Sequence, residues 1–166
     1  MKRFCRSFIL IILVLAGATI SQSAAKVSPV HVTLRIFEIV DCKTNHHSAM
    51  TLRRTQERYC FAGETIVDET QVESASVWNS EYDDKPGLRL IFKPEGAARL
   101  REISTRLMAR TESPGRLGVV VNDKLVSVAT VRTVVATDLV ISNAFNAEEC
   151  HQLVAALNAP AHQSKE

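Results

Sequence analysis

Between Val30 and Ile36 the chain reads VHVTLRI, with Val30, Val32, Leu34 and Ile36 on one face and His31, Thr33 and Arg35 on the other. Such strict alternation predicts a strand with one buried face. The strand continues through FEIVDC with weaker phase and gives way to a polar, turn-rich loop, KTNHHSAM. TLRRTQERYCFA then predicts a second strand. GETIVDETQVESASVW reads as a short extended piece, an acidic turn and a strand ending near Trp78, and NSEYDDKPG is loop by composition. In GLRLIFKPEG, Leu88, Leu90 and Phe92 alternate with Arg89, Ile91 and Lys93. Past Gly96 the period changes: Ala97, Leu100, Ile103, Ser104 and Leu107 share one helical arc, and Arg99, Arg106 and Arg110 fall on the other side. Glu95 stands four before Arg99 and Glu102 four before Arg106, so this basic ridge is expected to be paired along the helix and solvated.

RLGVVVNDKLVSVATV places two apolar runs around Asn122 and Asp123, residue types that tolerate the left-handed backbone of a tight hairpin. A further strand is expected at about Leu139 to Ser142. The last helix starts at NAEE, where Asn146 can cap it and Glu149 can complete a capping box. Its buried arc is expected to hold Ala147, Cys150, Leu153, Val154 and Leu157. At the first helix, Pro94 can end the strand's pairing, Glu95 suits the positive start, and Gly96 lets the chain turn closely. The whole reads as an α+β domain, a mainly antiparallel sheet with two amphipathic helices packed on one face.

The chain begins MKRFCRSFILIILVLAGATISQSAAK, in which Lys2, Arg3 and Arg6 precede an apolar run from Phe8 to Ala18 and a small-residue tail. That pattern predicts a signal peptide over 1–25, cleaved after Ala25. The run is shorter than the roughly 20 apolar residues of a membrane span, and no Cys follows LAGA to direct lipidation. A periplasmic or secreted location follows. The segment takes three basic residues with it, so the 20 Lys and Arg against 18 Asp and Glu of the full chain become 17 against 18. No polybasic stripe remains, which argues against a nucleic-acid partner.

Of the four cysteines, Cys5 leaves with this segment. In an oxidising compartment the simplest account pairs Cys42 with Cys60 and leaves Cys150 as a small core residue. The sequence leaves open the alternative that both are reduced and buried. Metal chemistry has one weak candidate: His46 and His47 with Asp41 and Cys42, for which no second ligand pair completes a tetrahedral shell. His31 reads as a surface residue. Cys150 and His151 are neighbours on a helix and point apart, which disfavours a dyad. No serine lies in a GxSxG elbow, and KPEG lacks the glycines and Lys-Ser/Thr pair of a phosphate loop. The paired acids Asp83/Asp84 and Glu148/Glu149 are accounted for by solvation and the helix dipole. The residues therefore nominate no catalytic group, cofactor or metal.

Taken in order, DETQVESASVW, GLRLIFKPEGAARLREIST, RLGVVVNDKLVSVATV and VISNAFNAEECHQLVAAL resemble the head subdomain of the first periplasmic domain of SecD, of the SecD/SecDF protein-export family. The resemblance runs from about Tyr59 to Leu157. Asn122-Asp123 stands where Asp-Gly is common in that family, Ala129 near a frequent Pro, and Asn143 where a Gly often precedes the last helix. Together with the signal pattern, the strand alternation and the polar tail APAHQSKE, it divides the chain into four expected parts: a signal peptide at 1–25, an N-terminal strand pair at 26–62, the head-like domain at 63–158 and a disordered tail at 159–166. It also implies a non-enzymatic periplasmic module that binds polypeptide or an envelope protein partner in relation to export, without the family's membrane helices or proton-conducting residues. Two other classes remain in view. One is a small secreted enzyme or metal-binding protein using His46 and His47; the other is a structural envelope protein.

Overall fold

A computed structural model of the chain describes residues 31–42, 48–81, 85–110 and 114–159. The predicted signal segment, His46 and His47, the acidic pair Asp83/Asp84 and most of the tail lie outside these residues.

The alternation around Val32, Leu34 and Ile36 belongs to β1 (Leu34–Val40), whose neighbours on either side are β3 (Arg58–Asp68) and β6 (Arg116–Val121), both antiparallel. Having a strand on each side and a core on each face explains why its phase fades. Leu34 and Ile36 point into the main core, whereas Phe37 and Ile39 point into a second one. A strand covered on both faces loses the simple apolar/polar alternation of a half-buried one.

The stretch expected as a single second strand divides. β2 (Ala49–Thr51) and β3 are joined by a turn in which Gln56 takes φ 63°. Leu52 N–H donates to Glu57 O at 2.8 Å and Gln56 N–H to Leu52 O at 2.9 Å, closing the turn where the sequence has no apolar alternation. β3 runs on to Asp68, and the acidic turn is a single 3-10 turn, Glu69–Gln71, capped reciprocally by Asp68 and Gln71.

With β7 (Lys124–Thr130), these strands form a sheet ordered β2-β3-β1-β6-β7. Its two ends meet: Leu52 bridges to Leu125, and Arg53 N–H donates to Leu125 O at 2.9 Å. The sheet thus curls on itself around Phe37, Ile39, Phe61, Val120 and Leu125, and joining its edges removes backbone groups that would otherwise be left unpaired. The hairpin between β6 and β7 turns on Asn122 and Asp123 at φ 48° and 59°, the left-handed pair a two-residue turn needs.

The remaining strands, β4 (Val72–Asn79), β5 (Pro86–Phe92) and β8 (Asp138–Ser142), make a second antiparallel sheet ordered β4-β5-β8. The α+β class read from the sequence is therefore the observed one. The division into two sheets is new. The helices α1 (Pro94–Met108) and α2 (Ala147–Leu157) share the main core with both sheets: Leu100, Leu107, Cys150, Leu153 and Leu157 pack with Leu34, Val119, Leu88 and Leu90. On α2, Ala147 is exposed and Val154 only half-buried, and on α1 Ile103 is half-buried, so each apolar arc is narrower than its spacing suggested.

At the strand-to-helix joint, Pro94 occupies the first turn of α1, Glu95 is its acidic residue, and Lys93 N–H donates to Gln71 O at 2.9 Å. Gly96 needs no left-handed backbone. A Cβ there would lie 3.0 Å from Gln71 Cβ, so its value is close approach to the 3-10 turn.

The ridge of arginines on α1 is arranged differently from expectation. Among the described residues neither Glu95–Arg99 nor Glu102–Arg106 forms an ion pair. Instead Arg106 Nη2 donates to Glu38 Oε2 at 2.6 Å, and Arg110 Nη2 donates to Glu38 Oε1. The Glu38 side chain is only 8% exposed, against 57% and 39% for the two arginines. A buried carboxylate needs partners far more than a solvated one does, so it draws them away from their neighbours on the helix.

One contact fixes α2 to the second sheet. At the end of the helix Asn158 Oδ1 accepts from Ala75 N–H at 2.8 Å and Asn158 Nδ2 donates to Ala75 O at 2.8 Å, so a side-chain amide satisfies the outer edge of β4 as a neighbouring strand would. Asn158→Ala should lower stability by about 2 kcal/mol, since it orphans two partly buried backbone groups. Urea unfolding of the two proteins measures this directly.

Candidate functional site

Beside α2 the margin of the main core comes close to the surface. Between α2 and the helix-side face of β6 and β7 lies a cleft of about 510 Å³, floored by Val32, Val121, Val126, Phe145 and Leu153. Its rim carries Arg53, Asn122, Lys124, Glu149 and Gln152. An apolar floor with a few polar groups at the mouth, in this size range, is the usual make-up of a ligand site.

Local chemistry sets each wall. The Asn122-Asp123 turn holds the β6–β7 hairpin, and Asn122 also fixes the entry to β1: its Oδ1 accepts from Thr33 N–H at 3.1 Å, and its N–H donates to Thr33 O at 2.9 Å. Arg35 pairs with Asp123 on the outer side of the same turn. On the opposite wall Asn146 Oδ1 accepts from Glu149 N–H at 2.8 Å, and Glu149 Oε2 accepts from Asn146 N–H at 3.0 Å. The other oxygen of Glu149 accepts from Arg53 Nη2 at 2.7 Å, which ties the β2–β3 turn to the start of α2.

The Asn146 backbone amide, and after it Arg53, hold the Glu149 carboxyl below the usual glutamate range, and the charge of Lys124 acts in the same sense. A carboxyl depressed in the folded state contributes stability that is fully present above the unfolded pKa and is lost as pH falls through the folded one. Glu149→Gln should therefore flatten the acid limb of a stability-against-pH curve below the ordinary glutamate range. Melting temperatures of both proteins across that limb provide the check.

Beside Glu149, Cys150 is fully buried and free, and burial first, then the Glu149 charge, pushes its thiol up. It behaves as a core hydrophobe, with no partner in the cleft. Asn143, before α2, takes φ 58°, and its buried Oδ1 has no hydrogen-bond partner. Asn143→Gly removes both the left-handed strain and the orphaned acceptor, and should raise stability by about 1 kcal/mol after allowing for the more flexible unfolded chain. A change of the opposite sign in chemical denaturation would refute that account.

The metal candidate loses a ligand. Cys42 and Cys60 form a disulfide with Cα atoms 5.2 Å apart, so neither offers a thiolate. Asp41 is exposed, His46 and His47 lie outside the described residues, and among the described residues no group of three or more His, Cys, Asp or Glu is placed to hold a metal ion. Of the turn residues singled out in the sequence, Asn122 lines the cleft and Asn146 caps the helix that walls it, whereas Glu95 and Gly96 stand at the start of α1, outside its lining. Arg53, Lys124 and Gln152 carried no local signal, because residues far apart in the chain meet only once both edges of the first sheet and α2 are in place. A second concavity, about 430 Å³, lies over Glu38, Glu64, Ile103 and Arg106 and is dominated by charged side chains.

Two antiparallel sheets and two helices around one main core, with an apolar cleft against the second helix, define an α+β domain. Its family is explicit: the chain belongs to the SecDF P1 head subdomain family, whose model matches residues 46–162. Two solved structures share the fold. One is SecDF described as a membrane component that enhances protein export, at TM-score 0.56 and 17% identity over 76% of this chain and 62% of that one. The other is SecDF in a super-membrane-facing form, at TM-score 0.56 and 17% identity over 76% of this chain and 18% of that one. The chain thus spans less than two thirds of either. No curated protein matches it. Among the described residues no helix is long and apolar enough to cross a membrane.

Proposed function

We propose that this chain is a non-enzymatic P1-head module of the periplasm, directed there by the segment 1–25, that holds polypeptide in the cleft beside α2 in connection with protein export. The observation that carries the reading is the cleft: among the described residues Val32, Val121, Val126, Phe145 and Leu153, at the margin of the main core, form an apolar floor that opens to the surface beside α2. Family membership supports the link to export, since SecDF is the protein described as enhancing it. An apolar groove gives affinity for side chains of many sequences without requiring a fixed ligand, which suits a polypeptide in transit.

A photocrosslinking amino acid at Gln152, on the lip of the cleft, tests this in living cells against the same group at Arg99, which lies over the charged concavity. The expected result is crosslinking to a secretory polypeptide arrested in transit from position 152 and not from position 99. Equal yields, or none from 152, would overturn the assignment.

A further inference from the structure

The rim of the cleft is electrically unbalanced. Its charged lining consists of Arg53, Lys124 and Glu149. Both Glu149 oxygens are already engaged, one by Arg53 and one by the Asn146 amide. Lys124 makes no direct ion pair among the described residues, although its charge is felt at Glu149. The acids next to Lys124 and Glu149 in the chain have contacts of their own: Asp123 pairs with Arg35, and Glu148 accepts from the Gln152 amide. Among the described residues, one cation is therefore left over at the mouth of an apolar cleft.

We infer that the cleft prefers polypeptide segments in which a bulky apolar side chain is followed or preceded by an acidic residue, with the apolar group on the Val121–Val126–Leu153 floor and the carboxylate against Lys124. This rests on the reading of the cleft as a polypeptide site. Consecutive residues of an extended chain are about 3.3–3.6 Å apart, so a neighbour of the anchoring residue reaches the rim without leaving the floor. An acidic neighbour meets an unpaired ammonium there, and a basic one meets both Lys124 and Arg53. Exposed pairs of this kind contribute modestly and are screened by salt, so the expected discrimination between acidic and basic flanks is about three- to tenfold at low ionic strength and smaller at high.

Three dye-labelled peptides of equal length, with the same central Leu-Phe pair flanked by Asp, Asn or Lys, test this by fluorescence anisotropy against the purified chain and two variants. Lys124→Glu changes an exposed residue of the hairpin, and Ala155→Trp fills the cleft from an exposed helical position. The expected order of affinity is Asp, then Asn, then Lys, compressed by added salt and inverted by Lys124→Glu. If all three bind equally and Ala155→Trp abolishes binding, the charge preference is wrong and the cleft reading stands. If no peptide binds, or Ala155→Trp leaves binding unchanged, the cleft reading fails and this inference with it.

Discussion

Reduction of the Cys42–Cys60 bond, or Cys42→Ser combined with Cys60→Ala, should lower stability by about 3 kcal/mol, close to two orders of magnitude in the folding equilibrium. The figure follows from the 18-residue separation of the two cysteines, whose closed loop restricts the unfolded chain. The folded geometry points the same way. Cys60 is paired in register with Val40 of β1 and Ala49 of β2, so the bond staples the end of the central strand to the strand that joins it to the sheet's edge. Alanine is specified at position 60 because that side chain is buried and a hydroxyl there would add a cost of its own. Guanidinium unfolding of oxidised and reduced protein measures the effect, and coincident midpoints would show that the bond contributes nothing. Cys150 is a free thiol in both samples and cancels from the comparison.

The second large effect is expected at Glu38. Arg106→Ala with Arg110→Ala should cost about 3 kcal/mol, the low end for stripping a buried carboxylate of its partners, because both guanidiniums reach solvent. Arg99→Ala, on the same helix but outside the pairs, should change stability by less than about 0.5 kcal/mol. The decisive comparison adds Glu38→Leu to the double variant. If the cost arises from an uncompensated buried charge, removing that charge restores much of the lost stability. If the cost is lost packing from the arginine stems, it does not.

These two sites also mark where sequence reasoning reached its limit. The helices were legible because their information is local: Leu100 and Leu107, or Cys150, Leu153 and Leu157, repeat at the helical period. The Asn122-Asp123 turn is local too, since its residue types alone favour the backbone it adopts. Glu38 was not legible. In the strand FEIVDC it reads as a polar position on a fading alternation, and it is buried only once β1 lies between two strands and the end of α1 packs against it. Once buried, it recruits Arg106 and Arg110 from 68 and 72 residues away, against the local rule that pairs them along the helix. The partition into two sheets was hidden for the same reason, because period-2 patterns specify a face and not a partner.

The cleft lies on the same boundary. Its charged rim joins Arg53, Lys124 and Glu149, and its floor joins Val32 to Leu153. Each is unremarkable in its own stretch: an arginine in a turn, a lysine after a hairpin, a glutamate in a capping box. Glu149 was identified from sequence as a capping residue, but its second bond, to Arg53, depends on where the β2–β3 turn comes to rest. The family resemblance indicated the fold and pointed to export, and the location of the proposed contact surface had to come from packing.

The most direct test of the account is titration of the purified chain into a fluorescently labelled secretory polypeptide kept unfolded, with the folded form of that polypeptide and the Ala155→Trp protein as comparisons. Saturable binding to the unfolded form alone, lost in Ala155→Trp while its melting temperature stays unchanged, is the predicted result. Equal binding to folded and unfolded forms, or full binding by the variant with the filled cleft, would contradict it.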